Sequence, residues 1–208
     1  MLDAAPTHQA PVGSRARPLV GPNAIIQTGA ALETMAGRAA ARAVFERAGL
    51  AHWCDAPPDS IVGQHQAAAL FDALRAERPG DWAAIAAVSG HLTAAYLLAY
   101  RIPMVARAVL QATPPRLAAR LLLTAIGRNA WTFAGDGEFG WTAGDPCVLT
   151  IRRNPLAQPG CPWHVAVFEM LFRRLVAHDA SVVHTHCAAE GDDACHFRAS
   201  LHAPDRKH

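Results

Sequence analysis

Lysine is almost absent from this sequence: Lys207 is the only one among 19 basic residues. Charge of any kind is sparse, at 17% of 208 residues, and the formal net charge is only +2. That balance lacks the strong positive field of a nucleic-acid binder, so no nucleic-acid partner is expected. Cysteines number five, an odd count with no CxxC pair, which excludes both a fully paired disulfide framework and a zinc ribbon. A four-cysteine iron–sulfur spacing is missing too. No glycine-rich loop follows a strand and opens a helix, and there is no P-loop. Gly135-Asp-Gly137 falls in a predicted hairpin and not at a strand-to-helix turn, so it is not a dinucleotide site. Residues 1–18 carry Asp3, Arg15, Arg17 and three prolines without an apolar run, so no secretory signal is read and a cytoplasmic location is expected. The longest stretch free of Asp, Glu, Lys and Arg, residues 82–100, approaches a membrane span in length. It is alanine-rich and includes Ser89, Gly90, His91 and Thr93, so it reads as a buried core helix, with no transmembrane segment expected.

What the chain does have is apolar bulk and helix-forming residues. Hydrophobic residues make up 51%, and 45 of the 208 are alanine. This excludes disorder and favours one helix-rich domain with a sizeable core. Four prolines in residues 1–22 mark a flexible N-terminal arm, followed by a single domain over 23–202 and a short tail over 203–208. Helical stripes are predicted over 22–50, 61–77, 82–100, a short piece after Pro103, and 115–129. The pattern then changes to strict alternation. Trp131 and Phe133, then Phe139 and Trp141, then residues 147–153, predict three antiparallel strands. A helix over 162–177 and two strands over 181–187 and 195–200 complete the chain. Helices followed by strands give an α+β class, a helical layer packed on an antiparallel sheet.

The residues with coordination chemistry are clustered. Seven of the eleven histidines and three of the five cysteines lie beyond position 160. Cys161, His184, Cys187 and Cys195 form a thiolate–imidazole set suited to tetrahedral zinc. Cys161 precedes Pro162 at a predicted helix start, where the dipole favours thiolate. In an ideal strand His184 and Cys187 point to opposite faces, so either the strand distorts or His186 supplies the nitrogen. Buried free cysteines and surface histidines are the structural alternative. Trp131, Phe133, Phe139 and Trp141 are candidates to wall an apolar ligand slot, with His91 on the central helix and Arg128, Arg152 and Arg153 nearby. Ordinary core packing is the competing role for the aromatics.

The run His184-Thr-His-Cys187-Ala-Ala-Glu-Gly-Asp-Asp-Ala-Cys195-His-Phe197 resembles the C-terminal signature of the 4-vinyl-reductase domain family, which includes the sensor domains of phenol-responsive activators. The resemblance covers residues 115–200 well and the earlier helices loosely. In those sensors a structural zinc is held by a cysteine before the penultimate helix, a carboxylate and two later cysteines. Here Cys161, Cys187 and Cys195 take the cysteine positions, and His184 stands where the carboxylate would be. The alanine-rich front half and residues 188–194 resemble the stand-alone members of bacteriochlorophyll biosynthesis. The resemblance implies a ligand-binding fold like that of the TRAPP subunits, a structural zinc and a bound porphyrin or chlorophyllide intermediate. It also implies a carrier or accessory role near the large subunit of magnesium chelatase and the following methyltransferase, peripheral to the photosynthetic membrane, and a homodimer. The family name implies an alternative, a reductase of the 4-vinyl group of divinyl (proto)chlorophyllide. A small-molecule sensor acting through a partner protein is a third reading.

Overall fold

Helices do occupy the alanine-rich front half, and they break where the backbone requires it. The computed structural model describes residues 18–202. A short strand β1 (Leu19–Val20) leads into α1 (Asn23–Ala36) and α2 (Arg38–Arg47). The single helix expected over 22–50 is two, because Gly37 adopts φ +83°, a conformation that only glycine enters cheaply. After one turn of helix, α3 (His52–Asp55), strand β2 (Val62–Gly63) pairs antiparallel with β1. This pairing ties down residues 19 and 20, which fall inside the expected N-terminal arm (residues 1–22). Residues 1–17 of that arm and the tail (residues 203–208) lie outside the described residues. Helices α4 (Gln64–Glu77), α5 (Trp82–Tyr96), α6 (Met104–Ala112) and α7 (Pro115–Arg128) follow. A π-helical turn, Leu97–Arg101, extends α5.

The first expected strand is absent. Residues Trp131–Ala134 form a helical turn, α8, with Ala134 N–H donating to Ala130 O at 2.7 Å and Gly135 N–H to Trp131 O at 3.2 Å. Four residues are too few to separate a period of 2 from 3.6, and Ala130, Trp131, Phe133 and Ala134 satisfy a helical turn equally well. Gly135-Asp-Gly137 therefore links helix to strand and does not turn a hairpin. The main sheet contains β3 (Glu138–Thr142), β4 (Cys147–Arg152), β5 (Ser181–His186) and β6 (Ala194–Ser200), with α9 (Pro162–Leu175) between β4 and β5. Its strand order is β3-β4-β6-β5, all antiparallel.

One face of the sheet carries Leu149, Ile151, Phe197 and Val182, all buried, and α9 lies across it. Helix α5 packs on α9, and α1 packs on α5. Gly90 sets the closeness of the α5–α9 contact: a Cβ there would sit 2.4 Å from the Trp163 carbonyl oxygen and 2.8 Å from Ala166 Cβ. Thr28 and Ser89 join α1 to α5 by a buried 2.8 Å hydroxyl pair. Among the described residues one helical run, Trp82–Arg101, is long and apolar enough to cross a membrane. Here it is the central helix of the domain, sandwiched between α1 and α9.

Candidate functional site

The thiol cluster forms at the seam where α9 starts and the β5–β6 hairpin ends. Cys161 caps α9 in the left-handed conformation, φ 43° and ψ 50°, directly after Gly160 at φ 70°. A left-handed cysteine is uncommon and costs backbone energy, so its retention here points to a role for the side chain. Cys195 lies on β6 opposite Ile151, facing the core. The geometric conflict between His184 and Cys187 is resolved by a β-bulge: the register shifts between His184 and His186. The extra residue returns Cys187 to the face that His184 occupies. His186 points outward and is exposed, its ring 5.0 Å from that of His196, so it is not the nitrogen of the cluster.

The ligand atoms of Cys161, His184, Cys187 and Cys195 all lie within 4.8 Å of one another. Cys161 Sγ and Cys195 Sγ are 3.6 Å apart. Zn–S bonds of about 2.3 Å in a tetrahedron require sulfurs about 3.8 Å apart, so the spacing is that of a coordination shell. All five cysteines are free thiols. Cys195 is held well below the usual thiol range, first by the hydrogen bond from Cys161, then by His184, the Ala188 N–H and the Asn154 amide. Cys161 is pushed up correspondingly, as the donor to that thiolate and through burial. The Cys187 backbone N–H donates to Asp192 Oδ2 at 2.6 Å, which fixes the turn after β5. His184 Nε2 is buried without a hydrogen-bond partner in the protein. Three soft sulfurs and an imidazole nitrogen fit a tetrahedral zinc, and four protein donors would fill its coordination shell.

The ligand candidates are not gathered into one wall. Phe133 lines a cavity of about 470 Å³ between the π turn, α7, α8 and α9, with Leu97, Ile102, Leu122, Ile126 and Phe168. Trp131, 47% exposed, borders a neighbouring cavity of about 300 Å³ that also includes Phe133. The two cavities share Leu97, Arg101, Thr132, Phe133 and Val167, so they adjoin across these side chains, and the pair is termed the trough. Phe139 and Trp141 are on the inner side of edge strand β3, and the Phe139 ring stacks edge-on against Phe133 at 5.5 Å. They back the aromatic cluster without lining the trough. His91 is exposed on α5 and lines neither cavity. Arg152 pairs with Asp193 and Arg153 with Glu138, which commits both to the sheet surface.

Two residues that sequence reasoning missed stand at this site. Arg101 lines both cavities at the end of the π turn. Its signal was present: it is the first charge after the long uncharged run. His164 was hidden inside an apolar helix stripe. It is 1% exposed, with neither ring nitrogen hydrogen-bonded, among Phe133, Trp163, Phe168 and Phe197. Burial lowers its pKa to about 4, so the ring is neutral.

The arrangement of helices on an antiparallel sheet is shared with two solved structures. One solved structure, titled "Modulating Heme Redox Potential Through Protein-Induced Porphyrin Distortion", superposes with a TM-score of 0.52 at 8% identity, covering 87% of this chain and 99% of that one. A point variant of the protein named Tt H-NOX gives 0.53 at 9% identity, with 91% and 98% coverage. These define the class, an α+β domain of H-NOX-like fold. Sequence comparison defines the family. The bacteriochlorophyll synthase 23 kDa chain of Cereibacter sphaeroides is 39% identical over 184 residues, 86% of this chain and 88% of that protein. The protein of the same name from Rhodobacter capsulatus is 38% identical over 204 residues, with 95% and 93% coverage. The chain belongs to the family of the bacteriochlorophyll synthase 23 kDa chain, the BchJ-related proteins of bacteriochlorophyll biosynthesis. No family model matches it.

Proposed function

We propose that this protein is a tetrapyrrole-binding accessory protein of bacteriochlorophyll biosynthesis, which holds a porphyrin or chlorophyllide intermediate in the trough and passes it between pathway enzymes. The observation that carries this reading is the trough itself. Its two cavities, about 470 and 300 Å³, have the size of small-molecule pockets, the larger is walled mainly by apolar side chains, the smaller adds Asn23, Asp59, Ser60 and Thr93, and Arg101 lines both. A flat macrocycle with propionate groups needs that combination: aliphatic and aromatic walls for its faces, and Arg101 for a carboxylate. Trp163 borders the smaller cavity and adds an aromatic wall. The names of the relatives agree with this pathway. Magnesium chelatase and the following methyltransferase are the enzymes this carrier would serve, as a homodimer.

The cluster of Cys161, His184, Cys187 and Cys195 would hold a structural zinc. Bound there, zinc would supply a cross-link between the start of α9 and the β5–β6 hairpin, behind one wall of the trough. The chain's own residues prepare that site: the bulge returns Cys187 to the face of His184, the left-handed Cys161 caps α9, and Asn154 and Ala188 N–H stabilise the Cys195 thiolate.

The test is titration of the purified protein with a panel of pathway porphyrins, with and without NADPH. Saturable quenching of tryptophan fluorescence and a shifted pigment spectrum are expected. Leu122→Trp should weaken binding at least about tenfold by filling the larger cavity, while Arg198→Ala on the exposed sheet face should not. Absence of saturable binding by every porphyrin would overturn the carrier reading. Steady, protein-dependent conversion of a divinyl to a monovinyl pigment with NADPH would replace it with the reductase.

A further inference from the structure

Every one of the 17 acidic residues lies outside residues 82–135, while that 54-residue stretch carries Arg101, Arg107, Arg116, Arg120 and Arg128. Among the described residues none of these five arginines pairs with a carboxylate. Large apolar side chains are exposed in the same stretch. Tyr100 is 77% exposed, Met104 and Val105 are each 75%, and Val109 is 53%; Leu117 and Leu121 on α7 are also exposed. On α6 the exposed positions 104, 105, 108, 109 and 112 follow helical spacing and make one face, while Leu110 is buried underneath. On α7 Arg116 and Arg120 alternate with Leu117 and Leu121 along the exposed side.

An exposed apolar ridge of this kind needs an occupant. A second copy fits poorly. An isologous contact would set this stretch against its own copy, with five arginines on each side and no acidic residue in the stretch to answer them. We propose that the α6 face, from Tyr100 to Val109, docks on an anionic lipid bilayer, with the surrounding arginines at the level of the phosphates. A basic helix with an exposed apolar face lies in the plane of such an interface, its apolar side chains entering the acyl boundary. Tyr100, Arg101 and Ile102 run directly from this face into the lining of the larger cavity, so docking would turn the mouth of the trough toward the membrane. The docking itself does not depend on what the trough binds.

Co-sedimentation of the full chain, without added pigment, tests this. Vesicles of phosphatidylcholine mixed with phosphatidylglycerol should bind the protein, vesicles of phosphatidylcholine alone at least about tenfold less, and salt should release it. Met104→Glu with Val105→Glu, and separately Arg107→Gln with Arg116→Gln, should each lower the partition coefficient about tenfold or more. Arg198→Gln, on the opposite side of the sheet, should leave it unchanged. Circular dichroism and thermal unfolding confirm that the variants fold; these positions are exposed or half-buried, so they should. The proposal is overturned if mixed vesicles do not bind, or if binding is indifferent to both double variants. It is equally overturned if the protein is a stable dimer that Met104→Glu separates, since the face then belongs to a second copy, or if it binds only an acidic partner protein.

Discussion

Acid should destabilise this protein through His164, and the size of the effect follows from its surroundings. The ring is enclosed by Phe133, Trp163, Phe168 and Phe197, with both nitrogens unpartnered, and burial lowers its pKa from 6.5 to about 4. The unfolded chain takes up a proton as the pH falls through 6.5, whereas the folded chain takes it up only near 4. Between those values the unfolded state binds more protons, so stability falls as the pH falls. The full gap corresponds to roughly 3 kcal/mol, of which about 2 kcal/mol is lost between about pH 7 and pH 5. His164→Leu keeps apolar bulk and removes the titration. Urea unfolding of both proteins at the two pH values measures the difference. Burial is the largest influence on His164, ahead of the charges of Cys195 and His184, so the difference between the two proteins reports chiefly on that burial. Wild type should lose about 2 kcal/mol more than the variant. Equal losses would refute the argument and show that the ring finds a partner, or water, in the folded state.

Gly90→Ala should destabilise the fold by about 1–2 kcal/mol net, since overpacking between α5 and α9 outweighs the roughly 1 kcal/mol gained in helix propensity; thermal unfolding reads it. Elemental analysis should find about one zinc per chain, and Cys195→Ala should lower metal content and melting temperature together, whereas His186→Ala should change neither. A folded, metal-free wild-type protein would contradict this. Ala125→Trp, at an exposed position on the rim of the larger cavity, should block porphyrin binding with little change in stability.

Long-period features were legible in the sequence. The helices at 64–77, 82–96, 104–112, 115–128 and 162–175 and the strands at 138–142, 147–152, 181–186 and 194–200 follow from repeated apolar spacing, which integrates over many residues. The α+β order followed from the same reading, whereas the candidate set of Cys161, His184, Cys187 and Cys195 came from residue chemistry and the family resemblance, with His186 left open as the nitrogen. Short signals did not carry enough information. Trp131 and Phe133 alternate like a strand, yet four residues between Ala130 and Gly135 close a helical turn once Gly21 N–H pairs with Thr132 O at 2.8 Å. Only tertiary structure decided which nitrogen joins the cluster, because a one-residue bulge reverses which face a side chain takes and leaves no mark on composition. The trough was likewise invisible. Its walls come from α5, α7, α8 and α9, and whether Phe133, Phe139 and Trp141 line a space or fill one depends on how those helices sit on the sheet, a matter of packing that no local pattern encodes.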